Sequence, residues 1–174
     1  LRPFFLDPAK PGEGFPFDYF QNTSMWMGTP VLVTHASSDQ AWYFVETAFS
    51  YGWVRREDVA LADANFCAEY KTRAMVALRM DDTSLVGQGR FFGQTHIGAI
   101  FPLHSELGGN VTVKVPVRGA TAKAEIGLAD LNSMQAALMP LPMTSRTVAV
   151  LADAMSGQLY GWGGMFENRD FSST

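Results

Sequence analysis

The sequence predicts a mainly β chain: short strands closing into a small barrel, a second all-β unit after it, and one α-helix towards the end. Three observations carry this reading. Between Thr29 and Val54, short β-branched and aromatic runs alternate with turn residues. The run Val111-Thr112-Val113-Lys114-Val115-Pro116-Val117 places Val at every odd position, the pattern of a strand with one buried face. Thr144 stands before an apolar-periodic stretch with Gly157 at its far end, which are the start and stop signals of a helix.

Taken in order, residues 1–28 combine Pro3, Pro8, Pro11 and Pro16 with Phe4, Phe5, Phe15, Phe17, Tyr19, Phe20 and Trp26. The prolines and Gly12 and Gly14 prevent a helix, while aromatics this dense need a surface to cover. The segment therefore reads as an extended wrap belonging to the first barrel.

Residues 29–65 read as that barrel. Val31-Leu32-Val33-Thr34-His35 is a strand, Ser37-Ser38-Asp39-Gln40 a turn, Trp42-Tyr43-Phe44-Val45-Glu46 and Tyr51-Gly52-Trp53-Val54 two further strands. A single helical turn follows at Arg55-Arg56-Glu57-Asp58-Val59-Ala60. Strands so short and closely spaced suit a small barrel.

Residues 66–138 read as the second all-β unit. Ala74–Leu78 is a strand, Asp81–Ser84 a turn, and Thr95–Leu103 a strand closed by Pro102. Gly87-Gln88-Gly89 with Gly93 has the wrong spacing for a dinucleotide-binding loop and no helix after it, so these glycines read as turn and bulge positions. Gly108-Gly109-Asn110 turns into the valine strand, and Ala129–Ala137 reads as a short helix. Residues 139–143 form a rigid linker, since Pro140 and Pro142 each push the preceding residue into an extended conformation. Residues 144–174 begin a further unit with the helix, whose stripe of Val148, Leu151, Ala152 and Met155 must pack on something, another copy of the chain included.

Composition excludes several classes of function. The chain has 174 residues, 47% hydrophobic and 17% charged, and a net charge of -4 with scattered Lys and Arg, so it has no electrostatic footprint for nucleic acid. No stretch approaches the ~20 apolar residues of a membrane span. The opening Leu1-Arg2-Pro3-Phe4-Phe5 lacks the shape of a signal peptide, which does not by itself place the protein in the cytoplasm. A single cysteine, Cys67, rules out an internal disulfide, and Asn65-Phe66-Cys67-Ala68 suggests a small buried filler. His35, His96 and His104 have no Cys or second His at ligand spacing, so they read as structural; no metal and no cofactor is expected.

The end of the chain carries the most specific signal. Tyr160-Gly161-Trp162-Gly163-Gly164, a short spacer, then Arg169-Asp170-Phe171-Ser172 resembles the opening motif of the NlpC/p60 family of peptidoglycan cysteine endopeptidases, in which the third position of the second element is Cys. The earlier strands, with Gly52-Trp53-Val54 followed by a helical turn, resemble a bacterial SH3-like domain. Gly89-Arg90-Phe91, Ile97–Leu103 and Val115-Pro116 resemble the second such domain of multi-domain members. The resemblance runs from about residue 3 to residue 174.

That resemblance implies two bacterial SH3-like barrels followed by one α-helix that begins an α+β papain-like domain, of which only the first helix and motif are present. It implies a parent reaction that cleaves between γ-D-Glu and a diamino acid in the cell wall, with the protein in the bacterial envelope, periplasmic or secreted. By position, Asp170 binds the free amino group of the stem peptide's L-Ala, Tyr160 and Trp162 shape its pocket, and Ser172 adds a hydrogen bond. Pairing with Arg169 or capping a helix is the competing role for Asp170. Glu46 and Tyr51 of the first barrel are candidates for the pocket wall, against a plain core or surface role. Phe171 holds the nucleophile's place, and a benzyl group cannot attack a carbonyl, so the chain is expected to be inactive whether Phe171 marks a disabled enzyme or a binding protein derived from one. The alternative function is a non-catalytic SH3-like module that holds peptidoglycan or a partner protein.

Overall fold

The computed structural model describes residues 23–157, and they are dominated by antiparallel β-structure. Strands β1 (Leu32–Ala36), β2 (Trp42–Glu46) and β3 (Tyr51–Arg55) form a three-stranded sheet in that order, ending in a 3-10 turn at Arg56–Asp58. A short helix, α1 (Ala64–Tyr70), leads to β4 (Met75–Leu78). Then come the hairpin β5 (Thr83–Gly87) and β6 (Arg90–Thr95), the long strands β7 (Ile100–Leu107), β8 (Asn110–Arg118) and β9 (Ala124–Leu131), and β10 (Ala136–Leu138). The larger sheet has the order β10-β4-β7-β8-β9. Helix α2 (Ser145–Ala154) closes the described chain, and no helix among the described residues is long and apolar enough to cross a membrane.

The core sits between the larger sheet and the β5–β6 hairpin. Val111, Val113 and Val115 of β8 point into it beside Ala129 and Leu131 of β9, with Val76, Leu78, Leu85 and Phe101 packed against them. Every second residue of β8 is therefore buried, as the valine alternation predicts. Trp26 and Met27 also pack on this cluster, so the end of the aromatic N-terminal segment reaches the core of the larger sheet on its way to β1. The dense aromatics before residue 23 lie outside the described residues.

Two prolines sit inside strands without breaking the ladder. β7 pairs with β4 through Ile100, Phe101 and Pro102, then switches to β8 from Leu103 onward. Pro102 lies at the changeover, where no N–H is required of it on the β8 side. Pro116 likewise pairs with Ile126 of β9 in a part of β8 that β7 no longer reaches.

The structure corrects three sequence expectations. The expected strand Thr95–Leu103 is two strands, because Gly98 at φ +87 and the bond from the Ala99 N–H to the His96 carbonyl turn the chain between β6 and β7. The expected helix Ala129–Ala137 is the end of β9, a turn and β10. Pairing of Ala129 and Leu131 with β8, and of Ala136 and Ala137 with Leu78 and Ala77 of β4, outweighs the helix propensity of those alanines, and Asn132 caps the turn by accepting from the N–H groups of Met134 and Gln135. Cys67 is exposed rather than buried. It lies on α1, which Asp63 caps by accepting from the Phe66 N–H at 2.9 Å, and whose Phe66 and Tyr70 rings stack at 5.1 Å. Cys67 lies outside that stacked pair, on the solvent side.

A close contact and a buried hydroxyl give testable consequences. A Cβ at Gly87 would lie 1.8 Å from the Leu128 carbonyl oxygen, because β5 crosses directly against β9. Gly87→Ala should cost roughly 3 kcal/mol or more in urea unfolding, the upper range for overpacking; a loss under about 1 kcal/mol would show that the strands can separate freely. The Tyr70 hydroxyl is buried with no hydrogen-bond partner among the described residues, and burial holds its pKa above the ordinary tyrosine range. Tyr70→Phe removes that unsatisfied oxygen and keeps the ring stack, so it should raise stability by about 1 kcal/mol. A destabilised variant would reveal a bond the hydroxyl makes in solution.

Candidate functional site

The three-stranded sheet is built by its turns more than by its core. Between β1 and β2, the Asp39 carboxylate accepts from the Ser37 hydroxyl and from the Ala41 N–H, and the Ser37 N–H bonds to the Trp42 carbonyl at 2.9 Å. Between β2 and β3, the Thr47 hydroxyl oxygen accepts from the N–H groups of Phe49 and Ser50. These are local turns of the kind Ser, Thr and Asp form readily, and they fix the register. Phe44 then stands opposite Trp53, and Glu46 opposite Tyr51.

Strand alternation divides the side chains between two faces. Val45, fully buried, lies on the inner face with Tyr43 and Val54, and the Arg56 guanidinium sits 5.4 Å over the Tyr43 ring. The outer face carries Phe44, Glu46, Tyr51 and Trp53, joined from β1 by His35, the partner of Phe44. The rings form one contiguous cluster. His35 stacks on Phe44 at 5.1 Å and meets Trp53 edge-on at 5.3 Å, Phe44 and Trp53 are also edge-on at 5.3 Å, and Tyr51 lies 6.1 Å from Phe44. Tyr51 is 67% exposed and Trp53 39%, with Phe49 and Leu32 exposed nearby.

An exposed aromatic patch with one carboxylate has definite chemistry. The ring faces attract apolar C–H surfaces and cations, and Glu46 supplies the countercharge for an ammonium group. Patches of this type on a small domain mark interaction sites. Of the residues selected from the sequence, Glu46 and Tyr51 are thus brought side by side on the surface. Tyr160, Trp162, Asp170, Phe171 and Ser172 lie outside the described residues. The sequence reading missed His35, Phe44 and Trp53 as members of the patch. Their signal was present in the period-2 alternation of β2 and β3, once the register set by the turns is known.

A second cluster lies on the other unit. His96 Nδ1 is 2.8 Å from Asp81 Oδ1 and 3.8 Å from Asp82 Oδ1, with the Trp26 ring 5.3 Å from the imidazole. One imidazole and two carboxylates within 4.8 Å make a donor set that a divalent cation accepts. Asp81 also accepts from the Ile97 N–H at 3.3 Å. That geometry makes the pair a clasp between the turn before β5 and the turn after β6. No spacing rule finds it, because Asp81 and His96 meet only when the hairpin between them folds.

Comparison with known proteins places these features in context. The family profile for an SH3 domain of the SH3b1 type matches residues 3–55, which include β1, β2 and β3. A solved structure described as a novel NlpC/P60 endopeptidase from Photobacterium damselae subsp. piscicida is similar over 95% of this chain, at 27% identity and a TM-score of 0.79. The chain spans 36% of that structure's length. No curated protein matches. The mainly β architecture with an SH3-like unit is therefore shared with known proteins, and the similarity extends through the larger sheet.

The β1–β2 turn offers a direct check on how the patch is held. Hydrogen bonds from Ser37 and from the Ala41 N–H hold the Asp39 carboxyl below the ordinary carboxylate range. A depressed folded-state pKa contributes stability that is present above the unfolded value and lost as pH falls through the folded one. Ser37→Ala should move the Asp39 titration, followed by carboxyl-carbon NMR, back towards its ordinary value. An unmoved titration would mean that the Ser37 hydroxyl does not hold this turn in solution.

Proposed function

We propose that this chain is the wall-recognising, substrate-gating part of a bacterial peptidoglycan endopeptidase of the NlpC/P60 type, acting in the cell envelope, periplasmic or secreted. The observation that carries the reading is the exposed Glu46–Tyr51 pair within the aromatic face of the SH3-like unit. The similarity to an NlpC/P60 endopeptidase over nearly the whole chain supports it. In this reading the ligand is a stem peptide with a free L-Ala end. Its ammonium meets the Glu46 carboxylate and the Tyr51 ring, since a cation leaving water needs a compensating charge.

The motif at the end of the chain would complete the pocket, with Asp170 as a second carboxylate for the ammonium and Tyr160, Trp162 and Ser172 around it. In a cysteine endopeptidase, cleavage of the γ-D-glutamyl bond uses a thiolate beside a general base. The motif carries Phe171 at the thiolate's position, and the single thiol, Cys67, is exposed on α1. Residues 1–174 therefore bind and do not cleave. Phe171 also favours the reading in which the SH3-like units act only as a non-catalytic module that holds peptidoglycan or a partner protein.

Incubation with L-Ala-γ-D-Glu-diaminopimelate should give no product, and calorimetry should detect binding that Glu46→Ala and Tyr51→Ala each weaken about tenfold, or ~1.4 kcal/mol. Both side chains are exposed, so their removal should leave unfolding nearly unchanged. Turnover by the pure chain would refute the inactivity. Equal affinity in both variants would refute the assignment of this face.

A further inference from the structure

The larger sheet has a groove of about 430 Å³ at the end where the β7–β8 hairpin approaches the β9–β10 turn. Its chemistry differs from that of the aromatic face. Ser105, Thr112 and Asp130 are direct partners on neighbouring strands, so they form one polar row across β7, β8 and β9. The Thr112 hydroxyl donates to the Asp130 carboxylate at 2.7 Å. Asn110 and Gln135 bring amide groups to the groove, and Leu107, 85% exposed, gives it an apolar edge.

Two details narrow the ligand. Among the described residues that line the groove none is a cation and Asp130 is the one charged group. An anionic ligand would thus meet Asp130 with no compensating charge. Gln135 spends its side-chain carbonyl on the Asn132 N–H at 3.0 Å, which leaves its NH₂ as a donor towards the groove. Hydroxyls, amides and one carboxylate around an exposed leucine suit a molecule with many hydroxyls, an amide of its own and an apolar face. The groove is shallow and open along one side, so it would hold a ligand by one face rather than enclose it.

We infer that this groove is a subsite for a neutral N-acetylated hexosamine. The inference deepens the proposed function and rests on it in one respect, since wall polymer offers such sugars beside the stem peptides assigned to the aromatic face. The two sites are then chemically distinct, one for an ammonium-bearing peptide end and one for uncharged glycan.

The test is amide NMR on the 174-residue chain, titrated with tri-N-acetylchitotriose, with sedimentation on purified wall sacculi run in parallel. Saturable shifts confined to residues 105–112 and 130–135 are expected, and Asp130→Ala and Leu107→Ser should each weaken the apparent affinity at least fivefold. Leu107 is too exposed for its replacement to unfold the sheet, so that variant reports on the groove alone. Absent shifts, shifts confined to residues 32–55, or unchanged affinity in both variants would overturn the groove assignment. A chain that sediments with sacculi but ignores the trisaccharide refutes the groove and leaves the wall reading standing. A chain that binds the trisaccharide at the groove but fails to sediment does the reverse.

Discussion

The alternation of valines along β8 is the constraint on which the rest of the larger unit depends. β8 is the strand that pairs with both β7 and β9, and its Val111, Val113 and Val115 occupy the centre of the core. A fully buried side chain of this size contributes about 1.5–3 kcal/mol, so a one-residue slip that turned these valines outward would forfeit most of the core. Once that register is set, the neighbours have little freedom. β9 must present Ala129 and Leu131 inward, β5 must pass so close to β9 that Gly87 has no room for a side chain, and Thr112 and Asp130 must meet on the outside.

The smaller sheet is stabilised differently. Val45 is its one fully buried apolar residue among those described, and its register comes from side-chain-to-backbone bonds in the two turns. A sheet with so modest an interior can place large aromatics on its outer face without losing a core it scarcely has. That placement is costly in water, where exposed rings forgo burial, and it gives the patch its significance: Tyr51 and Trp53 each contact Phe44 and meet solvent, beside the Glu46 carboxylate. The two units thus offer complementary surfaces, aromatic and acidic on one, hydroxyl and amide on the other.

Helix α2 follows from local signals. Thr144 accepts from the Thr147 N–H, Gly157 adopts φ +86 after the last turn, and the helix runs between them. Its apolar stripe is only half covered, with Leu151 and Met155 partly buried and Val148 50% exposed. The Met139–Pro140 peptide before it is cis, within the proline-rich linker that separates β10 from α2.

The sequence by itself determined what is local and periodic. It showed the strands of the smaller sheet, the 3-10 turn after β3, the valine strand and the capped helix, because each depends on turn chemistry or side-chain period within a few residues. It also marked Glu46 and Tyr51 through a resemblance carried by motifs. Only the tertiary structure decided what depends on partners far along the chain. Pairing with β8 and with β4 made two strands of the stretch after Leu128, a hairpin brought His96 to Asp81, and the packing of α1 left Cys67 in solvent. Cross-strand register gathered His35, Phe44, Tyr51 and Trp53 into one surface. Such contacts are set by the free energy of burying a shared core, which no short window of sequence contains.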